Sequence, residues 1–350
     1  MSEDVWSAQD TSPPAIEAAL RDLEMKRAAE HAGFVPARVL NLVAVVDREW
    51  RGEIANRLES VGRYNASRTV LCSVERGKRT LDATALLTYD REPAPGQVAV
   101  VRERVEIGMG PERLGGLDTI VDAVVISEVV TVVWSPHGHP EAVDALLGLA
   151  HVILLDSVEE PDPRAALARV AELQRSAYVV DLAWLRSTPW RERVAATFDP
   201  EQWRGELGRI KAVTVRHGPE SVAAALLFCG WLASRLGWDP GSMVARGDVL
   251  EGRARGRRQE VALRLEPVRQ DVPGLAGVTI ETADGMSISL DRGPGGLAAH
   301  RRDRRGKESS WTLLGASRGE GGILGEGVRQ ALLRDPTYGP ALEASRAMVG

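Results

Sequence analysis

The chain has 350 residues, 44% of them hydrophobic and 27% charged, with a formal net charge of −5. That length exceeds what one core ordinarily supports, so two domains are expected, and the acidic balance argues against a dedicated nucleic-acid binder. No apolar run reaches the roughly 20 residues a membrane span needs, and the acidic start MSEDVWSAQD does not resemble a secretory leader.

In chain order, the first dozen residues read as a disordered lead-in ending at Pro13-Pro14, followed by a helix from Ile16 to His31. Residues 1–34 are set apart on that basis. Ala37 to Val46 is short, continuous and β-branched, the pattern of a strand buried on both faces. A helix from Glu49 to Gly62 follows, with Ile54, Leu58 and Val61 on one face. Three strands are predicted next, in SRTVLCSVE, LDATALLTYD and GQVAVVRERVEIG, the last two joined by a hairpin loop at REPAP. From Leu114 the spacing turns helical, with Leu117, Ile120, Val121, Val124 and Val125 recurring, then Glu128–Trp134 reads as a strand, Pro140 opens a helix and HVILLDS is a further strand. Strand and helix alternate, which predicts an α/β domain over 35–160, a sheet with packed helices. The acidic, proline-bearing Glu159–Pro163 is the expected boundary.

Beyond it come the helix PRAALARVAELQRS, the stretch VVDLAWLRSTPWRERVAATFD, the strand GRIKAVTVRHG and the apolar helix ESVAAALLFCGWLASRLGW. From Gly256 to Ala316 the sequence turns to β. Asp284-Gly285 predicts a two-residue hairpin turn between the alternating runs Val278, Ile280, Thr282 and Met286, Ile288, Leu290. Helices from Ile323 to Leu333 and after Pro340 close the chain. Residues 161–350 are therefore expected to form an α+β domain with antiparallel hairpins.

Signals for chemistry are sparse. The glycines of Gly315–Gly327 do not fall at G-x-G-x-x-G spacing, and no second strand follows, so that segment reads as a loop. Gly293–His300 reads as a loop between strands. No Walker-type loop and no G-x-S-x-G elbow occur. His137 and His139 stand one residue apart without a third ligand nearby, so no metal site is expected. Cys72 and Cys229 lie in apolar sequence and read as buried thiols in a reducing, cytoplasmic setting. The arginine runs RARGRR (253–258) and HRRDRRGK (300–307) read as solvated loops. Before the third strand, Asn65 and Ser67 suit a turn, and Arg68 could reach a phosphate or a carboxylate or stand solvated.

Thr188 is expected to cap the helix that Pro189 opens, which runs to Thr197. Trp184 is expected to pack inward with Val180, Leu182 and Leu185, while Trp190 and Arg191 project beyond the helix N-terminus. A helix start needs neither the two tryptophans nor Arg186, Arg191 and Arg193. Those residue types concentrate binding energy at protein contacts and also stack on nucleotides, so packing and recognition both stay open.

At Asp181–Asp199, Asn65–Cys72, LNLVAVV and Val222–Trp238 the chain resembles the OpcA-type glucose-6-phosphate dehydrogenase assembly proteins. It differs from them in having Trp134 alone, Ala66 in place of proline, and an Arg-rich insert at Gly252–Arg258. The resemblance implies a non-catalytic, cofactor-free and metal-free protein that binds glucose-6-phosphate dehydrogenase and promotes its active oligomer. It would thereby feed the oxidative pentose phosphate pathway and NADPH supply, with no nucleic acid or membrane as partner. Trp184, Arg186, Thr188, Trp190, Arg191, Asn65, Ser67 and Arg68 are the expected partner-binding residues. The alternative is a sugar-phosphate- or nucleotide-binding enzyme or sensor with Arg68, Arg186 and Arg191 around a phosphate.

Overall fold

The computed structural model describes residues 2–30, 38–62, 67–89, 101–293, 296–314 and 319–350. The chain forms two compact units. One comprises Met1–Leu155 and Ser176–Val180, the other Asp156–Arg175 and Asp181–Gly350. The chain thus leaves the first unit at Asp156, forms one helix of the second, and returns for a last strand.

The first unit runs β1 (Ser2–Ala8), α1 (Pro13–Glu30), β2 (Leu40–Asp47), α2 (Arg51–Gly62), β3 (Ser67–Val74), β4 (Asp82–Tyr89) and β5 (Val101–Met109). It continues with α3 (Leu117–Asp122), β6 (Val130–Trp134), α4 (Pro140–Leu146), β7 (Val152–Leu155) and β8 (Tyr178–Asp181). Its sheet has the order β1-β4-β5-β3-β2-β6-β7-β8. β5, β3, β2, β6 and β7 are mutually parallel, and β1 and β4 are antiparallel at one side. All eight residues of β3 are buried, as a parallel strand covered on both faces requires. β4 instead alternates between buried and half-buried.

Residues 2–8 are a strand, not a disordered lead-in. β1 pairs in continuous register with β4, from Ser2 opposite Tyr89 to Ala8 opposite Ala83. An edge strand is held by its backbone ladder and one covered face, so it carries no apolar run by which to find it. The expected REPAP loop lies outside the described residues.

The second unit starts with α5 (Pro163–Leu173) and resumes with α6 (Leu182–Arg186), α7 (Thr188–Phe198), α8 (Glu201–Arg204), β9 (Ile210–His217) and α9 (Val222–Leu236). Then come β10 (Asp239–Pro240), β11 (Val244–Arg246), β12 (Val249–Arg255), β13 (Glu260–Pro267), β14 (Leu275–Thr282) and β15 (Ser287–Gly293). β16 (Gly296–Arg302), β17 (Glu308–Leu314), α10 (Gly319–Leu333) and α11 (Tyr338–Val349) complete it. The sheet order is β10-β12-β13-β9-β14-β15-β16-β17, with β11 beside β12. Only β13 and β9 are parallel, so the sheet is mixed but mostly antiparallel. α9 is buried from Ala223 to Ala233 apart from half-buried Trp231, packs against β9, β13 and α11, and ends at Gly237 in the left-handed conformation.

Two β expectations need correction. The β14–β15 hairpin turns at Asp284-Gly285, but through three residues, Ala283 to Gly285. Thr282 N donates to Met286 O, and Gly285 sits at φ +86. A turn closed by one left-handed glycine is the usual three-residue solution. Gly296–Arg302, expected as part of a loop, is β16, whose Leu297 and Ala299 are buried beside β15.

Candidate functional site

The stretch DLAWLRSTPWR is built inward. β8 ends at Asp181, almost wholly buried, whose Oδ1 accepts from Ala183 N at 2.9 Å and Ser157 N at 3.1 Å. It is the cap of α6. Its Oδ2 accepts from the Tyr338 hydroxyl at 3.0 Å, tying the start of α11 to this motif. Burial, assisted by the charge of Asp156, raises the Asp181 pKa from 3.8 to about 6, against hydrogen bonds from Ser157 and Tyr338 that lower it. Trp184 is buried, lies 5.2 Å from the Tyr338 ring, and donates its indole N–H to Asp335 at 2.8 Å.

Trp190 and Arg191 do not project outward; Trp190 is 2% exposed and Arg191 7%. The reason is the single-residue joint between α6 and α7, since Ser187 keeps near-helical angles and Arg191 N donates to Ser187 O. The N-terminus of α7 therefore abuts the end of α6, with Thr188 and Pro189 half-buried. The Arg191 guanidinium lies 3.4 Å from the Trp184 ring centroid. It donates to Trp184 O at 2.7 Å, to the Ser187 hydroxyl and to the Thr188 hydroxyl at 3.0 Å. Thr188 consequently accepts from Arg191 and does not cap the helix, for which Pro189 supplies only the preset φ. Burial pushes the Arg191 pKa down to about 10, with Asp335 and Glu192 opposing, so the cation persists at neutral pH. Arg186 pairs with Asp156 at 2.6 Å, both side chains about nine-tenths buried.

In the first unit Arg68 is likewise committed internally. It donates to Glu103 at 2.7 Å, to Glu24 at 2.8 Å and to Val124 O at 3.0 Å. Ser67 is buried, and Asn65 lies outside the described residues. Sequence reasoning missed Asn41, fully buried in β2, which donates to Ile126 O at 2.8 Å and Thr131 Oγ1 at 3.0 Å. A lone asparagine inside an apolar strand was the signal.

The strand order of the first sheet reverses between β2 and β6, where open α/β sheets bind ligands beyond the carboxyl ends of the strands. The turn after β2 reads Asp47-Arg48-Glu49-Trp50-Arg51, with none of the glycines that let a backbone approach a pyrophosphate. Half-exposed Trp50 stacks on His137, ring centroids 4.6 Å apart. His137 and His139 take φ values of 66° and 60°, strained for non-glycine residues, and His139 Nε2 lies 3.3 Å from Asp47. A cleft of about 490 Å³ lies nearby, lined by Arg48, Arg51 and Lys78. Each cation is paired with a carboxylate, Glu75, Glu106 and Asp82 respectively. Among the described residues no group of three His, Cys, Asp or Glu could hold a metal. Burial raises both thiols, Cys72 and Cys229, to about 12, so neither is a thiolate nucleophile at neutral pH.

Residues 58–172 match the family described as the glucose-6-phosphate dehydrogenase subunit N-terminal domain, and residues 177–342 match the corresponding C-terminal domain. A protein of Synechococcus elongatus named as the OxPP cycle protein OpcA is 25% identical over 242 residues, 68% of this chain and 53% of that protein. The protein of the same name from Synechocystis sp. is 30% identical over 186 residues, 52% of this chain and 38% of that protein. The chain thus spans about half the length of the first of these relatives, and less of the second. Among solved structures, a super-repressor mutant of Gal80p from Saccharomyces cerevisiae aligns with a TM-score of 0.49 at 9% identity, over 86% of this chain and 87% of that one. A dehydrogenase from Clostridium difficile aligns at 0.46 and 9%, over 87% and 96%. Likenesses that distant carry no functional argument.

Proposed function

The chain belongs to the OpcA-type glucose-6-phosphate dehydrogenase assembly family, and from that premise we propose that it binds this dehydrogenase and promotes its active oligomer without chemistry of its own. The observation that carries the reading is that the family's two domains match in order, at 58–172 and 177–342, and together cover most of the chain. The geometry supports it. The arginines suited to a phosphate, Arg68, Arg186 and Arg191, are each spent on internal carboxylates, carbonyls or rings. The sugar-phosphate enzyme or sensor is accordingly not favoured.

A protein that adds no catalytic group can change an enzyme only by binding one of its states more tightly. Within that reading, Trp184, Trp190, Arg191 and Arg68 act as positioning residues that shape a contact surface from beneath. Half-buried Thr188 and Pro189, with exposed Glu192, are the members of the motif with surface to offer. The test is co-purification of the full chain with the dehydrogenase, followed by steady-state kinetics and sedimentation with and without it. A saturable rise in activity at constant dehydrogenase, with a shift toward the larger oligomer, is expected. Kinetics and mass indifferent to excess of this chain would refute the proposal.

A further inference from the structure

The arginine run at 300–307 is more than a solvated loop. Residues 301–307 hold five cations, Arg301, Arg302, Arg304, Arg305 and Lys307, against one acid, Asp303, on a chain whose net charge is −5. They form the tip of the β16–β17 hairpin. The tip is fixed: Asp303 Oδ1 accepts from Arg305 N at 2.8 Å and Lys307 N at 2.9 Å, and Asp303 N donates to Lys307 O. Arg304 pairs at 2.6 Å with Glu206, itself fully buried, which clamps the tip to the segment after α8. Arg301 sits between two half-buried tryptophans, its guanidinium 4.8 Å from the Trp203 ring centroid and 5.6 Å from that of Trp311. Arg302, Arg305 and Lys307 are exposed.

Set against Asp303, the buried Glu206 and Glu308 opposite Arg302, the tip keeps a positive balance of about +2 on an otherwise acidic molecule, which attracts an acidic partner. Tryptophan and arginine beside it are the residue types that carry binding energy at protein contacts. Ordering them beforehand lowers the entropic cost of association. A nucleic acid is the poorer fit, because the patch is one hairpin tip and no basic stripe. We propose that the β16–β17 tip is the surface on which an acidic patch of the dehydrogenase docks. This rests on the reading of function above and specifies its interface.

The experiment uses the full chain, wild type against the triple reversal Arg302→Glu, Arg305→Glu, Lys307→Glu. A second triple variant, Arg253→Glu, Arg257→Glu, Arg258→Glu, matches it in net charge at exposed positions of β12 and the β12–β13 turn. Circular dichroism melts confirm the fold of both. Binding to the purified dehydrogenase is measured at 50 and 500 mM salt. The tip reversal should weaken binding about 100-fold at low salt and less at high salt, while the matched control stays near wild type. Equal binding by wild type and tip reversal would overturn this interface and leave the assembly reading standing. A wild type that does not bind the dehydrogenase at all would sink both. A tip-dependent complex with a 20-nucleotide single strand, with dehydrogenase binding unaffected by the reversal, would reassign the surface to nucleic acid.

Discussion

Asp181 is the residue on which three elements meet, since one carboxylate caps α6, holds Ser157 N and anchors Tyr338 of α11. Its folded pKa of about 6 lies above the ordinary 3.8, so the native state holds a proton that the unfolded state releases between those values. Stability from this group is therefore fully present below about pH 4 and is lost as pH rises through about 6, by on the order of 3 kcal/mol. Asp181→Asn keeps the Oδ1 acceptor and cannot ionise. Urea melts at pH 4.5 and 7.5 should show the variant gaining on wild type as pH rises. A constant difference between the two would count against this assignment. Arg191 is the companion case. Removing it deprives Trp184 of its stacked cation and takes a buried donor from the Thr188 hydroxyl and from the Trp184 carbonyl, which keeps only its bonds from Ser187, so Arg191→Ala should cost about 2–3 kcal/mol. Thermal melts beside activation assays check it: an intact melt with activation lost would instead return Arg191 to direct partner contact. The inward role of Trp184 was legible from its apolar neighbours, whereas that of Arg191 was not. A guanidinium over a ring and one on a partner look alike in sequence, and only the one-residue joint at Ser187 separates them.

Helices α9 and α11 show what close approach demands of an element. A Cβ at Gly230 would overlap the Ala341 carbonyl and the Ser345 hydroxyl. The one Ser345 hydroxyl proton is shared between Leu226 O at 3.0 Å and Ala341 O at 2.7 Å, binding the two helices along the same seam. Gly230→Ala should gain helix propensity yet lose net stability, by about 1–3 kcal/mol through overpacking, read as a lowered midpoint in urea. A neutral or raised midpoint would mean the helices can separate freely. Long, patterned elements such as β3, α9 and the β14–β15 hairpin were readable because burial on a fixed face imposes their period. β1 and β8 were not. β8 is four residues long and owes its place to sheet order, and β1 alternates only weakly, so neither carries a local signal. The Asp181 cap left a trace, an acid placed before Leu-Ala-Trp, but the better-known Thr-Pro pair further along drew the assignment.

At the scale of the whole molecule, the proposed role of an activator without catalytic groups is bound by reciprocity. If this chain tightens the dehydrogenase's hold on its substrate, the substrate must tighten the complex by the same factor, since both report one coupling free energy. Coupling in such systems is about 1–3 kcal/mol, so a 5- to 150-fold shift is the range to look for. The two arms are measurable separately: substrate affinity of the dehydrogenase with and without saturating chain, and affinity of the chain with and without saturating substrate. Equal factors place the effect on binding. A large effect on turnover with both binding factors near one would place it instead on the oligomer or on a later step, where reciprocity does not apply. Reversal of the β16–β17 tip should lower the chain's affinity equally with and without substrate and leave the ratio of the two unchanged, because a docking contact removed equally from both states carries no coupling. A ratio that collapses to one along with the affinity would mean that the tip touches a part of the dehydrogenase that moves between its states.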